Sequence, residues 1–355
     1  MGCGEPKHMP HSPTFIRLGF VPLVDSAPLI IAAELGLFDR YDVSVVLHRE
    51  VGWATIRDKI IYKELEAAHA PAGLVIAASC GLGSIATPCL TGFIFNLHGN
   101  AITLSETLWH QGVRDGRSLR KEIEKRERDF VFGVTSPFAS HNFLLRSWLL
   151  QQGIHPDLDV KIVVVPPPQM GANLHAGHID GYCVGEPWNS MAVLKKHGWI
   201  AATSSELAPG HPEKALFVRQ SFAEENAPQH LALIAALIES CRFCQSSENH
   251  EQVAEILSDK RYLNVPVAAI LASLSGRFAM GHGRTEDLPD FHVFSGPVAN
   301  EPTLERALWV CGQMKTHGLF PDPASVPSKR LPELFRADLY QEALLLTSQS
   351  VPSYV

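Results

Sequence analysis

Short apolar strands alternate with helices along this chain, and this alternation restricts the possible folds more than any other feature. Segment 15–21 (FIRLGFV) is rich in β-branched and aromatic residues, which predicts a strand. Segment 25–28 (DSAP) then precedes the apolar run LIIAAELGLF, a pattern typical of a helix start. Gly36 ends that helix, and 43–47 (VSVVL) is predicted as the next strand. A β-α-β unit this short predicts a parallel sheet.

A second block of the same kind follows a charged stretch at 114–129 (RDGRSLRKEIEKRERD), which we interpret as the solvated face of a helix. The block alternates strand, helix, strand, helix and strand over the segments 129–134, 141–151, 160–165, 169–177 and 179–184. It therefore predicts a self-contained α/β lobe. Segment 72–79 (AGLVIAAS) fits a buried strand and a buried helix equally well. From residue 222 onward the pattern is mostly helical.

The length of the chain, 355 residues, predicts two lobes, because it exceeds what one hydrophobic core usually serves. We take the charged stretch as the start of the second lobe. The predicted organisation is a flexible tail at 1–14, a first lobe made of 15–105 and 200–355, and a second lobe at 106–199.

Composition limits the partners. The formal net charge of −7 disfavours direct binding of nucleic acid or of an anionic membrane, since both require a basic surface. No segment reaches the roughly 18 uninterrupted apolar residues that a membrane helix needs, so no membrane insertion is predicted. This charge does not exclude a small anion, which a single lysine and a few N–H groups in a cleft can hold.

Location is predicted from the start of the chain and from its cysteines. Segment 1–13 (MGCGEPKHMPHSP) has no apolar core of a secretory signal, and no apolar stretch precedes Cys3 as a lipid-anchor signal requires. The seven cysteines are scattered and odd in number, which favours a reducing compartment. Cys241 and Cys244 lie in an apolar helical run and are interpreted as small helix residues. A cytoplasmic protein is expected; the alternative is a periplasmic or membrane-tethered protein whose true start lies upstream.

Polar residues gather at the predicted ends of strands, where open parallel sheets bind their ligands. Several of these positions also begin helices, whose free N–H groups attract anions. The candidates are Asp25 and Ser26, Trp53 to Thr55, His98 to Asn100, Ser136 to His141, Pro167 to Gln169, and Gly185 to Trp188.

Motifs for known chemistries are missing from this set. The sequence contains no GxSxG elbow, phosphate-binding loop, HExxH or dinucleotide fingerprint, so no catalytic residue, metal or cofactor is predicted. Each candidate also has a purely structural interpretation. Trp53 suits a core aromatic, His98 and His141 suit caps, Glu186 suits a cap or a partner for a lysine, and 211–214 (HPEK) suits a surface turn.

Eight segments carry a family resemblance over about residues 15–320. They are LGFVPLVDSAPLIIAAELGLF (18–38), WATIRDK (53–59), HGNAIT (98–103), SHNFLLRSWL (140–149), VPPPQMGANLHAGHIDGYCVGEPWN (165–189), HPEKALFVR (211–219), RYLNVP (261–266) and FHVF (291–294). With them the chain resembles the nitrate- and bicarbonate-binding receptors of ABC transporters and, within that group, their cytoplasmic nitrate/nitrite sensors. The resemblance implies an α/β, two-lobed periplasmic-binding-protein-like fold (type II), with a mixed, mostly parallel sheet flanked by helices in each lobe.

The resemblance also implies an anion pocket between the lobes. Trp53 would offer its indole, His141 would donate from its ring, the turn at Pro167 would shape a wall, and Lys214 would supply the positive charge. Gly99 and the residue before it would also line the pocket; that residue, His98 or, with the alignment shifted by one, Leu97, occupies a position that is a polar glutamine in some relatives. Together with Thr55 and Glu186 from the strand ends, these are the predicted ligand-binding residues.

Lys214 directs the choice of anion. Nitrate has acceptors only and needs a ring of donors with one compensating charge. Bicarbonate-type relatives carry glutamate at this position, so lysine favours nitrate or nitrite. The primary hypothesis is a sensor that holds an RNA-binding antiterminator and releases it when the anion binds. The alternatives are the substrate-binding component of a nitrate or bicarbonate transporter, and an enzyme on the same fold that uses His98 or Glu186.

Overall fold

The computed structural model describes residues 15–349, and its strands form two main sheets and a hairpin. In chain order the strands are β1 (Ile16–Phe20), β2 (Val45–Arg49), β3 (Ala67–Pro71), β4 (Cys89–Leu90), β5 (Ile94–His98), β6 (Asn100–Ser105), β7 (Val131–Val134), β8 (Lys161–Val164), β9 (Gly181–Gly185), β10 (Gly198–Thr203), β11 (Pro212–Arg219), β12 (Arg277–Gly281), β13 (Arg284–Asp287) and β14 (His292–Val293). The first sheet has the order β14-β5-β11-β3-β1-β2, with β4 beside β11. The second has the order β10-β6-β9-β7-β8, and β12 pairs with β13.

Helices cover both faces of each sheet. They are α1 (Ala27–Glu34), α2 (Leu37–Arg40), α3 (Trp53–Ile61), α4 (Ala72–Ser79), α5 (Glu106–His110), α6 (Gly116–Glu124), α7 (Ser140–Gln151), α8 (Met170–His175), α9 (Trp188–Leu194), α10 (Ser204–Leu207), α11 (Gln220–Glu225), α12 (Ala227–Gln245), α13 (His250–Ser258), α14 (Val267–Ser275), α15 (Leu304–Thr316), α16 (Leu331–Leu334) and α17 (Ala337–Gln349). Short 3-10 helices lie at Val24–Ser26, Pro167–Gln169, Ser247–Asn249, Pro323–Ser325 and Ser328–Arg330. Within residues 15–349, none of the helices is both long and apolar enough to cross a lipid bilayer.

The hydrophobic cores follow this layering. In the first lobe, α1, α12 and α13 pack on one face of the sheet, while α3, α4 and α15 pack on the other. In the second lobe, α6 and α7 cover one face and α8 covers the other. The segment 72–79, which the pattern left open, is a fully buried helix. The two-lobed α/β architecture with sheets flanked by helices confirms the predicted fold class.

Both sheets are mixed, as predicted, and most strands in each run in the same direction. Parallel pairs occur where β1 meets β2 and β3, and where β7 meets β8 and β9. The strands β6 and β11 run antiparallel to their neighbours. Each of them enters its sheet from the other lobe, which reverses its direction relative to the strands of the β-α-β units.

The lobe boundaries also differ from the prediction. Strands β6 and β10 belong to the second sheet, so the chain crosses between lobes at His98-Gly99 and again at 204–211, not at 105 and 200. The charged stretch contains the helix α6, which has one exposed and one buried face, and it does not coincide with the point where the chain crosses between the lobes. The hairpin of β12 and β13 packs on the second lobe through a small core with Phe278 and Met280, although it was predicted in the first. The predicted tail 1–14 lies outside the described residues.

The lobes touch along the cleft between them. The Val24 N–H donates to the Glu186 carbonyl at 2.8 Å, and the Trp188 indole donates to the Pro22 carbonyl at 3.3 Å. The first crossing is a sharp turn at Gly99, whose φ of +99° lies in the region that favours glycine. Side chains from both lobes, among them Asp25, Asn100, His141 and Lys214, are therefore buried together at this junction.

Candidate ligand-binding site between the lobes

A buried lysine with two carboxylates forms the centre of the site. The ammonium of Lys214 lies 2.6 Å from Asp25 Oδ2 and 2.7 Å from Glu213 Oε1, and all three side chains are fully buried. Burial alone would lower the pKa of Lys214, but the two carboxylates outweigh it and raise the pKa above its ordinary value. In turn, although burial opposes it, Lys214 holds the pKa values of Asp25 and Glu213 below their usual range. All three groups are therefore charged at neutral pH.

Consecutive residues supply the lysine and one carboxylate, which strand geometry does not predict. In a regular strand, the side chains of Glu213 and Lys214 point to opposite faces of the sheet. Here the register of β11 against β5 shifts on both sides of Lys214. Such an irregularity re-aims side chains locally, and both residues reach the cleft.

Glu213 connects the two lobes. Its Oε2 accepts hydrogen bonds from Asn100 Nδ2 at 2.7 Å and from Ser140 Oγ, both in the second lobe. His211 Nε2 lies 3.3 Å from the same oxygen. Asp25 is approached from the other side by His69, whose Nε2 is 3.1 Å from Oδ1. No group of three or more His, Cys, Asp or Glu placed to share a metal ion is found among residues 15–349.

A chain of hydrogen bonds fixes the orientation of His141. The Trp53 indole N–H donates to Thr135 Oγ1 at 3.2 Å, and this hydroxyl lies 3.1 Å from His141 Nδ1. The hydroxyl accepts from Trp53 and can donate its own proton to Nδ1; in that arrangement the imidazole proton is on Nε2. Nε2 is buried, has no hydrogen-bond partner among residues 15–349, and lies 3.7 Å from Glu213 Oε1. With its proton on Nε2, His141 has an unpartnered donor that faces the ion cluster.

His141 remains neutral under ordinary conditions. Burial lowers its pKa to about 4, against the raising effect of Glu213. Trp53 also contacts the cluster through its ring, whose centroid lies 5.5 Å from Lys214 Nζ. The structure therefore brings together three predicted ligand residues: Trp53, His141 and Lys214.

His98 and Gly99 have structural roles at the crossing. His98 Nδ1 lies 2.8 Å from the Asp290 carbonyl, and Nε2 accepts from the Gly210 N–H at 2.6 Å. Both ring nitrogens are occupied, so neither is available to a ligand. Burial lowers the pKa of His98 to about 4, consistent with this neutral form. Gly99 leaves room for the ring of His292, which a Cβ at this position would meet.

The remaining predicted residues make no hydrogen bond to the side chains of Asp25, Glu213 or Lys214 within residues 15–349. Thr55 is partly exposed on α3, and its side chain makes no hydrogen bond to the cluster within the described part of the chain. Pro167 begins a buried turn whose neighbours Pro166 and Pro168 line a cavity of about 270 Å³, which also touches Arg49 of the first lobe. The carboxylate of Glu186 accepts from the Ser190 N–H at 3.1 Å.

Glu186→Gln is expected to reduce the pH dependence of stability. Burial raises the pKa of Glu186 to about 7, so the folded protein keeps a proton that the unfolded chain releases near a pKa of about 4.3. The unfolded chain binds fewer protons in this range, so the free energy of unfolding falls as the pH rises from about 4 to 7, on the order of 2–3 kcal/mol.

Urea unfolding at about pH 5 and pH 8 measures this effect. The exposed control Glu333→Gln is expected to retain the wild-type pH dependence. Equal pH dependence in wild type and Glu186→Gln would contradict the assignment.

Several residues of the site were missed or given no role. Asp25 was placed at a strand end without a partner, and Glu213 was interpreted as part of a surface turn. Asn100 and Ser140 were recognised only as strand-end positions, and His69 and Thr135 were not singled out. The one available signal was the position of Asp25 between β1 and α1, beyond the carboxyl end of a strand, where ligands of parallel sheets gather.

Two lobes built on mixed sheets, joined by two crossings and closed over a buried charged cluster, define the two-lobed periplasmic-binding-protein-like fold. The match of a family model over residues 10–258 shows that the chain belongs to the NMT1-like family. The resemblance to anion-binding receptors of transporters is thereby confirmed at the level of the family.

Individual relatives agree with this assignment. The chain is 33% identical over 344 residues to a nitrate/nitrite binding protein NrtA from Nostoc, covering 93% of this chain and 76% of the relative. It is 36% identical over 312 residues to a bicarbonate transport ATP-binding protein CmpC from Synechococcus elongatus, covering 87% of this chain and 46% of that relative. The chain thus spans about half the length of the ATP-binding relatives. The crystal structure of the periplasmic nitrate-binding protein NrtA from Synechocystis superposes with a TM-score of 0.90 at 28% identity, covering 96% and 91% of the two chains.

Proposed function

We propose that this protein binds nitrate or nitrite between its lobes and serves as the substrate-binding component of an anion transport system. The observation that carries the proposal is the buried inter-lobe cluster in which the unpartnered Nε2 of His141 faces Glu213 and the Lys214 ammonium bound to it. The names of the relatives, which refer to nitrate, nitrite and bicarbonate, support an inorganic anion as ligand. They refer to binding and transport, which supports binding without turnover.

The donors suit a small acceptor-only anion. An ammonium has three N–H donors, and Asp25 and Glu213 occupy two of those on Lys214. The third, together with the Nε2–H of His141, can bond an anion placed between them. The Trp53 ring supplies an adjacent flat wall.

The structure gives weaker support than the sequence for a preference for nitrate over bicarbonate. The sequence predicts that Lys214 favours nitrate, yet Glu213 beside it offers carboxylate oxygens that can accept the O–H of bicarbonate. Lys214 is moreover shared between two carboxylates. We therefore propose nitrate or nitrite as the ligand, with bicarbonate as the competitor to be tested directly.

Isothermal titration calorimetry with nitrate, nitrite and bicarbonate tests the proposal. We expect nitrate or nitrite to bind, and His141→Ala to weaken that binding roughly tenfold, because it removes one buried donor. The control His175→Ala, on an exposed ring of the second lobe, is expected to bind as wild type. The absence of heat with all three anions, or equal binding by His141→Ala, would overturn the proposed site.

The sensor role is a second proposal about the same ligand. In this version the protein is cytoplasmic, and closure of the lobes on the anion releases an RNA-binding antiterminator. The relatives are named for binding and transport, which favours the transport role. Affinity for such a partner measured with and without nitrate distinguishes the two, because a ligand shifts partner binding only if it prefers one lobe arrangement. Unchanged partner affinity would contradict the sensor role.

A further inference from the structure

His211 lies on the second crossing between the lobes, two residues before Glu213, with its ring buried. Its Nδ1 lies 2.8 Å from the Ala208 carbonyl oxygen, and its Nε2 lies 3.3 Å from Glu213 Oε2. Both neighbours are pure acceptors. A neutral imidazole has one N–H and cannot donate to both, whereas a doubly protonated ring can.

The adjacent His98 shows the contrasting arrangement. The two rings are 5.2 Å apart, but His98 faces one acceptor, the Asp290 carbonyl, and one donor, the Gly210 N–H. That pairing satisfies a neutral ring. Of these two rings, only that of His211 has an acceptor beside each nitrogen and can therefore hold a second proton.

The charge of the cluster explains why this proton matters. Asp25, Glu213 and Lys214 together carry −1, and a bound monoanion would bring the buried total to −2. Uncompensated buried charge is costly. A proton on His211 reduces the total to −1 and neutralises Glu213 on the side away from Lys214.

His211 also has a route to solvent. Its ring lines a cavity of about 420 Å³ together with Trp309, Glu305 and Arg306 of α15. Arg306 donates to the Ala299 and Glu301 carbonyls and so does not pair with the imidazole. The charged and titratable groups around His211 are thus Glu213 and Lys214 on β11, His98 on β5, His141 on α7, and Glu305 and Arg306 on α15.

We propose that His211 takes up a proton from solvent when the anion binds, so that anion binding is linked to pH. The inference rests on the proposed function, since it concerns the same site. No covalent bond changes: the proton moves from water or buffer to a ring nitrogen of His211. His211 acts on the ligand through Glu213 and is a positioning residue.

Nitrate is the probe that tests the linkage, because it is the anion of a strong acid and takes up no proton itself. Calorimetric titrations at one pH, in buffers with different heats of ionisation, give the number of protons taken up per nitrate. We expect a fraction of one proton to be taken up per nitrate bound at neutral pH. Affinity should fall with rising pH, by up to roughly tenfold per unit.

Two variants locate the proton. His211→Gln keeps a side-chain N–H donor for Glu213 but cannot titrate, and it is expected to abolish proton uptake and to flatten the pH profile. His98→Gln is the matched control, expected to retain wild-type proton uptake. Urea unfolding confirms that both fold. Nitrate heat that is identical in all buffers for the wild type, or unchanged proton uptake in His211→Gln, would overturn the linkage while leaving nitrate binding intact. The absence of nitrate heat in every buffer would instead overturn the proposed function and, with it, this inference.

Discussion

Lys214→Met is expected to lower the free energy of unfolding by about 3–5 kcal/mol and to abolish nitrate binding. The substitution keeps much of the side-chain volume but removes the charge that both Asp25 and Glu213 contact. Two fully buried carboxylates would then face each other without compensation. Urea unfolding at neutral pH measures the stability, and calorimetry measures the binding.

Lys161→Met is the matched control. Lys161 pairs with Asp129 on the surface, where both side chains are largely exposed, and such pairs contribute about 0–1 kcal/mol.

A further test adds Asp25→Asn and Glu213→Gln to Lys214→Met, which removes all three charges. This triple variant should recover much of the lost stability and still fail to bind nitrate. If Lys214→Met lowers the free energy of unfolding no more than Lys161→Met does, Lys214 does not hold the cluster together.

The sequence predicted those parts of the fold and site that follow from local patterns. Both β-α-β blocks are present because short apolar strands and helical periodicity are local properties. Trp53 and His141 were placed near the start of helices that follow strands, and both helices begin at the cleft in the structure. Lys214 was identified through the family resemblance, since a lone lysine in a strand gives no local signal.

Other features depend on contacts that no local pattern encodes. Only Gly99 separates β5 from β6 in the sequence, so the change of lobe at this residue is not visible there. The register shift that turns Glu213 toward Lys214 depends on pairing with β5, which is distant in sequence. His98 is a strong ligand candidate by its position, but its Nδ1 is paired with the Asp290 carbonyl, and this contact is also distant in sequence, 192 residues further along the chain.

Gly99→Ala is expected to be one of the most disruptive small substitutions in the protein. Its φ of +99° is unfavourable for any residue with a Cβ, and that Cβ would lie 2.6 Å from His292 Nδ1 and closer still to the neighbouring ring carbon. The backbone strain costs about 1–3 kcal/mol, and the forced overlap adds about 1–3 kcal/mol more. Urea unfolding measures the sum.

Gly112→Ala separates these two contributions, because Gly112 has a φ of +93° and no atom within 4 Å of the position its Cβ would take. It should show the backbone cost alone, and the difference between the two variants is then the cost of displacing His292. Because Gly99 directly precedes Asn100, which donates to Glu213, Gly99→Ala should also weaken nitrate binding while Gly112→Ala should not. If the two substitutions lower the free energy of unfolding equally, the backbone at Gly99 and the ring of His292 can move apart without strain. The close approach to His292 would then not constrain how the lobes are joined.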